Sequence, residues 1–409
     1  MKKHLAILCG IFYPNPSATG QCAKRFAELL SDAYEIDIIC MSDDETTAEV
    51  DTGQGIRIHK IAGRRMGMEA RSRGGCKKLL HLLGGVQIKT QLLGNLKWYR
   101  DAARRKLEEI CAAHKLDVVF SVCSPFAAHC AAMDFKRTHP AVHWCGYTVD
   151  PYAAKNRIRP FWCGFERLIA EERAVLQRMD TVLLSEEVYK NRPELFRGCS
   201  NCRELPYMLP AVTAKRTERT FFDAQNINCV YAGSFYRDVR NPECMLRTFS
   251  RIKDPGIKLH LFSSGCDDLV RTYTEQSPGI VLHPRVSVSE IAQVYQETDV
   301  LVNIENSTEE FMPSKTFEYI ATGKPIVNFY CGECGGREAL ELYPLCFQVR
   351  NAPGCEDATG LEKFLSANRG KSVSAGELEK IYSKYSRERI SEILHDAMLT
   401  LEGISQNGD

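Results

Sequence analysis

Short, unbroken apolar runs alternate with longer amphipathic stretches along the whole chain. Residues 5–10, 34–41, 56–62, 116–122, 141–147, 181–185 and 202–207 read as strands, and residues 21–31, 127–138 and 161–179 read as helices between them. The pattern restarts at 228–232 and continues through 257–262, 280–282, 300–304, 326–330 and 347–349, before a long amphipathic helix at 377–401. Strands that are apolar on both faces are those of a parallel sheet covered by helices on each side. The strand–helix alternation predicts doubly wound α/β domains. Pro206, Pro210 and the polar run at 215–219 mark a linker, which divides the chain into domains at 1–209 and 210–373 with a terminal helical segment at 374–409.

Composition narrows the class. A chain of 409 residues with 44% hydrophobic and 26% charged residues supports more than one ordinary globular core. No apolar run reaches the eighteen or so residues of a membrane-spanning helix. The start, MKKHLAILCGIFYP, imitates a signal peptide, but it flows into a glycine-containing loop and an amphipathic helix and is read as a first strand. Eighteen cysteines scattered through strands and helices suit a reducing cytoplasm better than a disulfide framework. Two C-x2-C pairs, Cys199/Cys202 and Cys331/Cys334, lack ligand-spaced histidines, so no metal is assigned.

The chemistry concentrates in residues 299–327, DVLVNIENSTEEFMPSKTFEYIATGKPIV. A strand ends in a polar loop, and Pro313 and Ser314 then open a short helix with Phe317, Ile320 and Ala321 on its apolar side. The N-terminus of such a helix attracts anions, and Lys315 adds to that field. Glu310 and Glu318 frame the turn with seven residues between them. Ionised carboxylates only accept hydrogen bonds, so the pair suits sugar hydroxyls better than phosphate. Taken alone, the pair reads first as a solvated loop glutamate and a helix glutamate, since charged residues are mostly exposed.

In this E-x7-E spacing and in the Gly323-Lys324-Pro325 turn after it, MPSKTFEYIATGKPI resembles the retaining family-four (group 1) glycosyltransferases of the GT-B fold. The resemblance is close in the C-terminal half and loose in the N-terminal half. It implies two Rossmann-like domains facing across a cleft, a nucleotide-diphosphate sugar on the C-terminal one and an acceptor on the N-terminal one. It also implies transfer with retention and without a metal or cofactor, and a terminal segment that crosses back to brace the first domain. By that likeness Glu310 orients the reacting sugar and Glu318 the ribose. Ser314 and Lys315 bear charge on the departing diphosphate, and the 283–286 loop, with Val286, meets the base. The family's Gly-Arg and Lys-Gly loop is here Gly233-Ser234 and Arg240-Asn241. Arg240 is therefore the substitute for the lysine and Arg237 a second, since a guanidinium grips phosphate in bidentate fashion. Of the family's two N-terminal loop glycines only Gly20 remains.

In the first half, Asp150 in the 146–152 loop lies where a doubly wound sheet collects ligands and is the candidate for an acceptor hydroxyl; Asp before Pro is also a common turn starter. Residues 57–106 are strongly basic against Glu69 and Asp101 alone, although the chain's net charge is only +1. Interleaved leucines and Trp98 make this an interfacial region for an anionic membrane surface or a solvated lid packed on the sheet. Stacking aromatics and a recognisable module for nucleic acid are missing. The expected function is transfer of a hexose to a lipid-linked or polysaccharide acceptor in cell-surface glycan synthesis, by a cytoplasmic protein held peripherally on the membrane. Its rivals are an epimerase or phosphorylase on the same fold, or a catalytically silent binding subunit.

Overall fold

The computed structural model describes every residue except 1, 14–15, 43–46, 54, 63–95, 156–164, 211–219, 308–314, 333–334 and 400–409. The first sheet is built from β1 (Lys3–Ile11), β2 (Tyr34–Met41), β3 (Ala48–Asp51), β4 (Ile56–Ile61), β5 (Val118–Cys123), β6 (His143–Thr148), β7 (Thr181–Leu184) and β8 (Cys202–Glu204), in the order β3-β4-β2-β1-β5-β6-β7-β8. All neighbours are parallel except β3, which pairs antiparallel with β4 and caps that edge. The second sheet is fully parallel: β9 (Ile227–Ser234), β10 (Ile257–Ser264), β11 (Ile280–Leu282), β12 (Val300–Ile304), β13 (Ile326–Tyr330) and β14 (Cys346–Arg350), in the order β11-β10-β9-β12-β13-β14. Both sheets therefore reverse strand order at an internal point, as doubly wound folds do.

The apolar runs became strands because helices cover both faces, so β5, β6 and β7 are buried along their whole length. Helix Phe126–Thr138 comes close to its sheet by presenting Ala127, Ala128, Ala131 and Ala132. Helix Lys97–Ala113 is anchored by fully buried Tyr99, whose hydroxyl lies 2.7 Å from the Cys9 carbonyl and 3.0 Å from that of Ile39. That one polar tip inside an apolar layer fixes the helix across β1 and β2.

Polar residues inside the first sheet are satisfied in networks. Asp37 on β2 accepts from Arg57 at 2.9 and 3.0 Å, lies 2.6 Å from His59 Nε2 and 2.5 Å from His4 Nε2. Burial disfavours its charge, but the histidine and arginine partners more than reverse this and hold the carboxyl far below the usual range. On the same sheet His129 bridges Ser121 at 2.7 Å and Thr148 at 3.2 Å, and burial lowers its pKa to about 3, so the imidazole stays neutral.

The chain divides into two compact units, Met1–Pro206 with Ile390–Asp409, and Tyr207–Arg389. The last segment is tied to the first sheet: His143 Nε2 meets the Ala397 carbonyl at 3.0 Å, and Arg203 pairs with Asp396. In place of the single helix expected over 377–401, there are helices Ala375–Ile381 and Arg387–Ala397 with a 3-10 turn Ser383–Tyr385 between them. Ser386 is the reason for the restart, because its hydroxyl accepts from the Arg389 amide at 3.1 Å. Buried Tyr382 pins the break by donating to the Ala339 carbonyl at 2.6 Å.

Candidate active site

In the second unit, β9 and β12 are neighbours whose connections leave in opposite directions, and this opens a crevice at their C-terminal ends. The loop after β9 folds into a small hairpin in which Tyr236 and Arg240 bridge, the Arg240 amide reaching the Tyr236 carbonyl at 2.7 Å. The loop after β12 is laced to it: the Ser307 amide donates to the Val239 carbonyl and the Ser307 hydroxyl to that of Asp238, both at 2.7 Å. Arg240 is held between the two strand ends. Its Nε and Nη2 fork onto Asn306 Oδ1 at 3.2 and 2.8 Å, and Nη1 reaches the Ser234 carbonyl at 3.5 Å.

Lys315 opens helix Lys315–Ala321 and turns its ammonium down onto the Ala232 carbonyl. Gly233 makes room for it, since a Cβ there would sit 3.1 Å from Lys315 Nζ and 3.2 Å from the Tyr231 hydroxyl. Burial lowers the Lys315 pKa to about 8; Glu318, one turn along, pulls it back up and Arg240 pushes it down. The lysine remains mostly charged at neutral pH. Two cations thus converge on one crevice, each gripped by neutral oxygens. Beneath them, fully buried Glu305 accepts from Asn328 at 2.7 Å, and Asn328 is bonded to Asn303 and Gln348, each at 2.8 Å.

Of the sequence-predicted residues here, Gly233, Arg240, Lys315 and Glu318 meet in this crevice. Arg237 stands exposed on the hairpin, and half-buried Val286 packs against the core beside the 283–286 loop. Glu310 and Ser314 lie outside the described residues. Sequence reasoning missed Asn306, the clamp on Arg240, and Tyr231. The polar tripeptide at the end of a buried strand was the available signal for the first; nothing distinguished the second from a core tyrosine.

In the first unit the corresponding point lies between β1 and β5. Helix Ala18–Leu30 begins there, capped by Ser17, whose hydroxyl accepts from the Gly20 amide at 3.2 Å. A Cβ on Gly20 would come within 2.1 Å of the Ile11 carbonyl oxygen, so the close seat of this helix on β1 requires the glycine. Half-buried Asp150 sits in the loop after β6, which is tied to both neighbours: the Val149 amide donates to Cys123 on β5 at 3.3 Å, and the Ser185 hydroxyl beyond β7 to the Val149 carbonyl at 3.1 Å. Nearby Glu187, 3% exposed, has both carboxylate oxygens buried without a side-chain hydrogen-bond partner among the described residues. Burial raises its pKa from the ordinary 4.5 to about 7, with its own backbone amide and Lys190 opposing the shift and Glu186 and Glu204 adding to it.

The basic region divides. Residues 63–95 lie outside the described ones. Of the rest, Arg57 is spent on Asp37, Lys97 on Asp101, Arg100 on Asp134, Arg104 on Glu108 and Lys106 on Glu49 and Glu109. Trp98 packs against the core. Among the described residues no helix is long and apolar enough to cross a membrane, and no cluster of three or more His, Cys, Asp or Glu could hold a metal ion.

Comparison with solved structures defines the class of fold. A sucrose-phosphate synthase from Thermosynechococcus elongatus superposes with a TM-score of 0.67 at 13% identity, over 97% of this chain and 98% of that one. An Anabaena protein solved with UDP and glucose gives 0.57 at 10% identity, over 97% and 99%. A UDP-forming α,α-trehalose-phosphate synthase from Burkholderia xenovorans, in complex with glucose-6-phosphate, gives 0.58 at 10%, over 97% and 100%. At such identities the likeness establishes the architecture: the chain has the two-domain GT-B fold. More particularly, residues 226–345, the part of the second unit that carries the crevice, match the family model of Glycosyl transferases group 1. No curated protein matches the chain by sequence.

Proposed function

We propose that the protein is a glycosyltransferase that takes a sugar from a nucleotide-diphosphate donor bound in the second unit. The observation that carries this reading is the convergence of Arg240 and Lys315 at the β9/β12 switch point, where the neutral oxygens of Asn306 and Ala232 accept from them. Two cations brought into a partly desolvated crevice repel each other, and a bound diphosphate relieves that repulsion. The same groups stabilise the charge that grows on the diphosphate as the glycosidic bond breaks, which is where electrostatic catalysis acts. Glu318 and Glu310 take donor hydroxyls. Retention of configuration through a front-face displacement, with the departing phosphate helping to deprotonate the acceptor, fits a site with no evident nucleophile among its described residues. The Arg–Lys pair replaces a metal for charge neutralisation, so transfer proceeds in a chelator.

The acceptor hydroxyl meets the first unit near Asp150. The basic, leucine-rich stretch between β4 and helix Lys97–Ala113 favours an acceptor carried on a lipid or a growing polysaccharide at an anionic, cytoplasm-facing membrane surface.

The test is a thermal-shift panel of UDP, GDP, ADP, CDP and their glucose conjugates. A ligand at a hundred times its dissociation constant adds about 2.7 kcal/mol. One base should stand out, and Arg240→Ala and Lys315→Ala should each weaken that binding about tenfold or more, the loss of a charge-assisted contact. Unaltered affinity in both variants, or no shift with any diphosphate, would refute the assignment. Turnover then separates a transferase from a silent binding subunit.

A further inference from the structure

The Asp150 loop passes straight into helix Tyr152–Lys155, whose first amides have no helical partner. Fully buried Glu172, from helix Phe165–Leu176, supplies one: its Oε1 accepts from the Tyr152 amide and its Oε2 from the Ala153 amide, both at 2.9 Å. The Tyr152 ring is stacked on Phe126 at 4.5 Å between centroids, with 12° between planes, so the turn is held from the side as well. The two residues clamped by Glu172 begin one residue beyond Asp150-Pro151. A single carboxylate thus sets where the loop after β6 leaves the sheet.

From this geometry we propose that Glu172 is a positioning residue for the acceptor side of the reaction, acting through the loop that presents Asp150 and touching no substrate itself. The proposal rests on reading Asp150 as an acceptor-side group. The clamp depends on ionisation. A carboxylate accepts at both oxygens, whereas a carboxylic acid keeps one good acceptor and turns an O–H toward an amide N–H. Burial raises the Glu172 pKa from 4.5 to about 7, while the two amides and Arg192 pull it down. Of the ionisable groups around it, Tyr152 lies on the clamped turn and Arg192 follows helix Glu186–Asn191. The clamp is complete above neutrality and half released below it.

Amide hydrogen exchange on the full chain, corrected for intrinsic rates, tests this at pH 8 and pH 6. In the wild type, Tyr152 and Ala153 should be protected at pH 8 and lose protection at pH 6. Glu172→Gln, which like the protonated acid keeps one good acceptor, should show the reduced pH 6 protection at both values, and Glu172→Asp should restore part of the pH 8 protection. UDP affinity by calorimetry should stay within about twofold in both variants, because the nucleotide site lies in the other unit. With UDP-glucose as donor, Glu172→Gln should raise the acceptor KM about tenfold, and adding Asp150→Asn to it should cost little more, as for residues acting as one unit. Equal protection in wild type and Glu172→Gln at pH 8 overturns the clamp, and full additivity with Asp150→Asn overturns its route through Asp150. If no nucleotide sugar is turned over, the proposed function fails and the acceptor role with it. Exchange needs no turnover, so it still decides whether the clamp exists.

Discussion

Replacing Glu187 by Gln should flatten the pH dependence of stability and raise stability in mild base. The wild-type carboxyl is buried, and that burial raises its pKa from 4.5 to about 7. A folded-state pKa above the unfolded one means that the native state binds more protons. The associated stability is fully present below about pH 4.5 and is lost as pH rises through 7. Linkage between those two values gives a loss of about 1 kcal/mol per such group from pH 6 to pH 8. Glu172 has the same sign and a similar size, so the pair together removes roughly 2–3 kcal/mol over that range. Glutamine keeps the shape and cannot ionise. Chemical denaturation of wild type and Glu187→Gln at pH 6, 7 and 8 should show the variant recovering half of the wild-type loss. Near the thermal midpoint that corresponds to about 2–4 °C for a unit of this size. Parallel pH profiles for the two proteins would refute the reasoning, because they would mean that Glu187 ionises equally in the folded and unfolded chain.

Asp37→Asn should destabilise the first unit by roughly 2–4 kcal/mol, less than for a wholly buried pair because the Arg57 side chain is 38% exposed. Its profile should invert that of Glu187. Asp37 is held below its ordinary pKa, so its stability is present above pH 4 and lost as pH falls, and acid denaturation of the variant should be correspondingly shallower. Glu318→Ala should raise the donor KM, whereas Glu310→Ala should lower kcat more than affinity; wild-type kinetics in both would remove the two carboxylates from the site. Co-sedimentation with vesicles should rise with anionic lipid and fall with salt, and Gln at positions 64, 65, 71 and 73 should reduce it, each arginine being worth about 1 kcal/mol at such a surface. Equal sedimentation with neutral vesicles would favour a soluble acceptor.

What was legible in the sequence was whatever leaves a local trace. Parallel strands show as unbroken apolar runs, and the turn at Gly323-Lys324-Pro325 carries its own punctuation, so the second unit could be read almost strand by strand. β3 was missed because its four residues alternate in burial and have no apolar run to announce them. The 377–401 helix was overextended because amphipathic periodicity continues through the Ser386 restart. In the site, Arg240 and Lys315 were recognisable singly, but their convergence depends on strand order, which brings residue 240 to residue 306. Glu172 was invisible for the same reason. A glutamate on an amphipathic helix looks solvated until the fold folds it under a neighbouring turn.

The first unit is not contiguous: Asp396 and Ala397 contact its sheet after the whole of Tyr207–Arg389 has intervened. A ribosome adds about 5–20 residues per second, so the opening unit waits on the order of 10–40 s for its final piece. Until then the surface around His143 and Arg203 stands open. The second unit, by contrast, is complete as soon as it emerges. Nascent chains stalled before Ile390 should therefore hold a finished second unit beside a first unit still open to chaperones, and a stop codon before Ile390 should cost the first unit its stability while sparing the unit that lies nearer the cut.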